Sequence, residues 1–135
     1  MNIKVVIDTN VLVSSLSRKS KYNYLIDLIY NNKIDIVVTS EILLEYEEIL
    51  SSKYSKLATD NFFTLISELE NAQFVNVYFN WNLLTDTDDN KFVDCYVAAN
   101  AELLITNDKG FNQLNNVEFP RINIISLEDF LNNMR

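Results

Sequence analysis

The sequence predicts an α/β fold, a mainly parallel sheet covered by helices on both faces. Two observations predict it. Short apolar, β-branched runs recur without alternation, as in strands buried on both sides. Segments of helical spacing separate those runs, which is the alternation that builds parallel sheets. With 135 residues, no repeat and no linker, the chain reads as one domain, 1–135.

Taken in order, Lys4-Val5-Val6-Ile7 is the first strand and Asp8 stops it. Asn10 or Asp8 caps a helix over about 10–16. Ser17 to Lys21 is a polar loop, and Tyr24, Leu25, Leu28 and Ile29 mark a second helix. Ile34-Asp35-Ile36-Val37-Val38 is the second strand. A helix over about 40–51 follows, with Ser40 as its cap and Ile42, Leu43, Tyr46, Ile49 and Leu50 as its stripe. A helix over about 57–72 carries Phe62, Phe63, Leu65, Ile66 and Leu69. The partly alternating Phe74-Val75-Asn76-Val77-Tyr78-Phe79 reads as the third strand. After an acidic segment, Phe92 to Ala99 is helical. Leu103-Leu104-Ile105-Thr106 is the fourth strand, ending in a turn that Gly110 eases. Ile122 to Ser126 is the fifth, and Leu127 to Met134 is a closing helix capped by Ser126.

Composition narrows the chemistry. The chain is 48% hydrophobic, hence globular. No apolar run reaches the roughly 18 residues of a membrane span, and no signal-peptide pattern opens it. Cys95 is the only cysteine, so no internal disulfide forms and a cytoplasmic location is the default. The absence of histidine removes Ser-His-Asp and Cys-His catalysis. The single glycine, Gly110, removes glycine-rich phosphate loops. A net charge of −8 argues against long-range attraction to nucleic acid, although carboxylates awaiting a metal would lower the count in the same way.

The acids themselves point to a site. In a parallel sheet all carboxyl ends share one edge, and open α/β sheets bind ligands there. Asp8 and Asp108 both follow strands. Asp89 opens the helix after the acidic segment, and Glu45 lies on the flank of its helix stripe. Each also has a plain structural reading as a cap, a turn residue or a solvated flank. Asp94 suits a helix interior poorly, but lies opposite the Phe92/Tyr96/Ala99 stripe, where it would be solvated. Carboxylates gathered within a few ångströms need cations, and Mg²⁺ or Mn²⁺ is the natural partner for such oxygen donors. A metal held there can activate water against a phosphodiester.

Four segments carry a family resemblance. They are Val6-Ile7-Asp8-Thr9-Asn10-Val11-Leu12, Ser40 to Glu45-Tyr46, Asp86 to Asp89-Asn90-Lys91-Phe92-Val93-Asp94, and Ile105-Thr106-Asn107-Asp108. In this order they resemble PIN-domain proteins, specifically the VapC-like branch of toxin components from toxin–antitoxin systems. The resemblance implies a three-layer α/β/α fold with strand order 3-2-1-4-5, and a Mg²⁺- or Mn²⁺-dependent endoribonuclease. It implies catalytic roles for Asp8, Glu45, Asp89, Asp94 and Asp108, with Asp8, Asp89, Asp94 and Asp108 as metal ligands. The third acid is Asp89 or Asp94, and Asp89 is the stronger match. Asn10, Thr106 and Asn107 would support the site or bind substrate. The implied partners are RNA, a cognate antitoxin protein and a second copy in a homodimer, with no membrane.

Two other readings compete. A non-catalytic protein- or RNA-binding module on the same fold would use the acids only as caps and turns. A receiver or phosphatase domain would need an acidic pair after the first strand, or an aspartate where Asn10 stands.

Overall fold

In a computed structural model that describes residues 1–135, Val5, Val6 and Ile7 are all fully buried. Successive strand residues point to opposite faces, so both faces of β1 (Lys4–Ile7) are covered. The remaining elements are α1 (Thr9–Ser15), α2 (Tyr24–Tyr30), β2 (Asp35–Val38), α3 (Ser40–Lys53), α4 (Lys56–Glu68), β3 (Ala72–Phe74), α5 (Asn90–Ala98), β4 (Leu103–Ile105), β5 (Ile124–Ile125) and α6 (Leu127–Met134). Short 3₁₀ segments occupy Thr87–Asp89 and Lys109–Asn116.

The five strands form one sheet in the order β3-β2-β1-β4-β5, and every pairing is parallel. This is the architecture and order expected from the sequence. Parallel neighbours cannot be joined by tight hairpins, so each connection crosses over the sheet. All carboxyl ends therefore lie on one edge. The order places β1 at the centre, between β2 and β4. Tyr46, Phe92, Phe111 and Phe130 are among the largest fully buried side chains of the core.

Three local expectations need correction. The third strand is Ala72–Phe74, and the segment after it, through Leu84, is irregular. Its last ladder bond runs from Val75 N–H to Val38 O (2.9 Å). β2 ends at Val38, and α3 turns away, so the alternating residues beyond Val75 have no strand to pair with. The fifth strand contracts to Ile124–Ile125. The α3 cap is Thr39, whose Oγ1 accepts from Ile42 N–H (3.2 Å), and not its neighbour Ser40. Ser126 caps α6 as expected, by accepting from Asp129 N–H (3.1 Å).

One buried polar side chain fastens the β3 side of the sheet. Asn71 is buried, and its Nδ2 donates to Ile29 O (2.8 Å) and Ile34 O (2.7 Å). Its own carbonyl accepts from Ile36 N–H (3.0 Å). It thus joins the end of α2 to both edges of the β2–β3 pair. Asn71→Ala strips two buried carbonyls of a donor and should destabilise the fold by about 2 kcal/mol. Urea unfolding measures this, and a loss below about 0.5 kcal/mol would show that water replaces the amide without cost.

Candidate active site

Asp8 leaves β1 where the sheet hands over to β4. Its N–H donates to Ile105 O (3.0 Å), which extends the β1–β4 ladder by one bond. It stands at the cap position of α1, yet its side chain makes no capping hydrogen bond. The carboxylate instead accepts from Thr106 Oγ1 (2.8 Å). Asp8 is only 6% exposed. Burial pushes its pKa up, hydrogen bonds from Thr106 and the Thr9 backbone pull it down, and the charges of Glu45 and Asp108 push it up further.

Thr106 serves two acids at once. While it donates to Asp8, its Oγ1 accepts from Asp108 N–H (3.1 Å). The Asp108 carboxylate is exposed, and its Oδ1 accepts from Gly110 N–H (2.8 Å). A Cβ on Gly110 would lie 3.3 Å from that oxygen. Gly110 does not have a positive φ, so its contribution is room beside Asp108 and not an unusual turn.

Glu45 comes to the same edge from α3. Its Oε2 accepts from Thr9 Oγ1, and its Oε1 lies 2.6 Å from Lys91 Nζ. Asp89 ends the 3₁₀ segment before α5 and is half-buried. Its pKa is pushed up to about 6 by desolvation first, then by the charges of Asp86, Asp8, Asp108 and Glu45. The charges of acids from separate segments thus bear on Asp8 and Asp89. As the side chains stand, no three of them close around a common point.

Asp94 does not join them. It is buried rather than solvated, and its Oδ1 accepts from Trp81 N–H (3.0 Å). The charge that acts on it is Glu41. It faces a polar cleft that Ser40, Asn76, Asn80 and Lys91 also line. Asp94 is five residues beyond Asp89, about 140° round the helix, so the two cannot share a face. Of the two choices for the third acid, only Asp89 stands with Asp8, Glu45 and Asp108.

The supporting residues divide in the same way. Thr106 is at the centre of the site. Asn107 is exposed, and its Oδ1 accepts from Leu127 N–H (3.0 Å), so it fixes the start of α6. Asn10 is exposed on the first turn of α1. Sequence reasoning missed Thr9 as the donor to Glu45 and Asp86 as the nearest charge on Asp89. Nor does the sequence show that Lys91 is committed to Glu45. The buried Tyr46, one residue after Glu45, donates its hydroxyl to Ile7 O and ties α3 to the end of β1. A hydroxyl directly after Asp8 was the one visible signal for Thr9.

The chemistry of the donor set suits a hard divalent cation: Asp8, Asp89 and Asp108 would supply carboxylate oxygens, and a hydroxyl fixes the orientation of one of them.

Comparison with known proteins agrees with this geometry. A family model described as PIN domain matches residues 4–110. An uncharacterised protein of Methanocaldococcus jannaschii is 34% identical over 136 residues, covering 95% of this chain and 86% of its own. The solved VapBC2 complex of Rickettsia felis, bound to a DNA fragment from its promoter, contains a chain with a TM-score of 0.62 at 16% identity. That match covers 92% of this chain and 98% of the other. The PIN domain endonuclease Utp24 gives a TM-score of 0.55 at 18% identity, covering 91% and 84%. The sheet order, the acids at its carboxyl edge and these matches together show that the chain belongs to the PIN-domain family, whose members are generally nucleases.

Proposed function

We propose that this chain is a metal-dependent endoribonuclease, and that it is the toxin of a toxin–antitoxin pair. The observation that carries the enzymatic reading is the convergence of Asp8, Glu45, Asp89 and Asp108 at one sheet edge, with Thr106 joining Asp8 to the backbone of Asp108 and Thr9 holding Glu45. Carboxylates gathered in this way are stabilised by a cation or a cationic ligand. The VapBC assemblies among the structural neighbours support an antitoxin partner. RNA as substrate, a homodimer and a cytoplasmic setting belong to the same proposal.

The residues divide the work as follows. Asp8, Asp89 and Asp108 would hold Mg²⁺ or Mn²⁺. Once bound, that ion would polarise a water and a phosphate oxygen. Thr106 holds Asp8 by one oxygen and fixes the backbone of Asp108, so two ligands keep their relative positions. Thr9 and Lys91 hold Glu45 facing the same edge, where its carboxylate would border the phosphate of a bound substrate. Lys91 places a positive charge beside it. Asp94, committed to Trp81, would keep the loop after β3 against α5 and take no part in the chemistry.

Cleavage of a single-stranded RNA pool with Mn²⁺ tests this reading. Asp8→Asn should abolish cleavage while leaving the chain folded, with a melting temperature in metal-free neutral buffer no lower than that of the parent. Thr106→Val keeps the volume but removes the donor, and should lower activity about 10–100-fold. Asp94→Asn should cut activity far less than Asp8→Asn. Undiminished cleavage by a clean Asp8→Asn preparation would refute the proposal.

The charge cluster also has a signature without metal. The Asp89 pKa is raised, so the folded chain binds its proton more tightly than the unfolded chain does. Stability is therefore lost as pH rises from the ordinary carboxylate value through about 6. Wild type and Asp89→Asn should melt together near about pH 4, and Asp89→Asn should melt higher above about pH 7 in metal-free buffer. Scanning calorimetry across that range checks the sign. A gap that does not change with pH would remove Asp89 from the cluster.

A further inference from the structure

We propose that Lys91 is a built-in cation that occupies Glu45 in place of a second metal, so that this chain holds a single divalent ion. The inference rests on the metal-dependent reading above and deepens it.

Both Glu45 oxygens are already taken. Thr9 Oγ1 donates to Oε2, and Lys91 Nζ lies 2.6 Å from Oε1. The two side chains of this ion pair are only 16% and 25% exposed. The other salt bridge in the chain, Lys56–Asp60, is 3.8 Å long, with side chains 89% and 60% exposed. An exposed pair of that kind contributes little, whereas a pair largely withdrawn from water is costly to open, because each charge is left without a partner. A metal recruited to Glu45 would have to expel the ammonium and leave it in acidic surroundings without its carboxylate.

Lys91 is also placed by the framework and not by chance. It sits on the first turn of α5, two residues beyond Asp89. Its neighbour Asn90 is buried, and Asn90 Oδ1 accepts from Leu84 N–H (3.0 Å), which fixes the helix start. The Lys91 ammonium makes one salt bridge, and that is to Glu45. The site thus has two halves. On one, Asp8, Asp89 and Asp108 have no internal cation and can take a divalent ion. On the other, Glu45 has a lysine. One divalent ion and one ammonium offset three of the four carboxylate charges, and the ammonium remains beside the phosphate of a bound substrate.

Calorimetric titration of Mn²⁺ into the full chain reads the stoichiometry directly. The wild type should take one ion. Lys91→Met should raise this to two, the added ion being the weaker, and Lys91→Gln provides the same test if the methionine variant folds poorly. Lys91→Arg keeps the charge and should stay at one. The double variant Lys91→Met/Glu45→Gln should return to one. Two ions in the wild type, or one ion in a folded Lys91→Met or Lys91→Gln variant, would overturn the proposal. Asp8→Asn separates this from failure of the underlying reading. If the single-ion idea alone is wrong, Asp8→Asn still weakens Mn²⁺ binding. If the metal site itself is wrong, the wild type shows no saturable binding that depends on Asp8, and both fall.

Discussion

The pairing of β1 with β4 is the constraint on which the site depends. The ladder runs through Val5, Val6 and Ile7 against Leu103, Leu104 and Ile105, and Asp8 N–H to Ile105 O extends it past the strand end. Beyond that bond both segments leave the sheet, the first at Asp8 and the second after Thr106, with Asp108 two residues further on. Thr106 fills the gap between them, donating to one acid and accepting from the backbone of the other. The polar site is thus a continuation of the strand register. A slip of β4 by one residue would turn Thr106 to the opposite face and separate Asp8 from Asp108.

Around that pair the other elements bring charge at a cost. α3 delivers Glu45, anchored from behind by Tyr46 on Ile7 O. The 3₁₀ segment before α5 delivers Asp89 and, at its edge, Asp86. Burial and mutual repulsion raise the proton affinity of Asp8 and Asp89, which marks a site held in place by packing against its own electrostatics. Core strands that are fully buried supply the stability that such a site removes. Lys91 relieves one corner only. The contrast between Glu45, which has a cation, and the three aspartates, which have none, divides the cluster into parts with different tasks.

Much of this was legible in the sequence, for identifiable reasons. Val5–Ile7, Ile36–Val38 and Leu103–Ile105 are short apolar runs next to helical stripes, and central parallel strands leave that trace. Asp8 and Asp108 were legible because each closely follows such a run, and Glu45 because helical periodicity sets its flank. The third strand was misplaced because alternation in Phe74–Phe79 reports side-chain spacing, whereas a strand also needs a partner, and β2 ends at Val38. The burial of Asp94 was hidden for a related reason. It depends on Trp81, in an irregular segment whose path no pattern announces. The Lys91–Glu45 pair joins residues 46 positions apart on different helices, and its existence follows from the packing of α3 beside α5. Long-range charge pairing of this kind has no local signature.

The central claim is that aspartates from separate segments form one cation-binding cluster at the carboxyl edge of the sheet. The most direct test is the melting temperature as a function of Mn²⁺ concentration at neutral pH. A cation that binds only the folded chain raises it progressively with the logarithm of concentration. The account predicts that rise for the wild type, and its loss when either Asp8 or Asp108 is replaced by Asn. A wild type whose melting temperature is indifferent to Mn²⁺, or a rise that survives both substitutions, would contradict it.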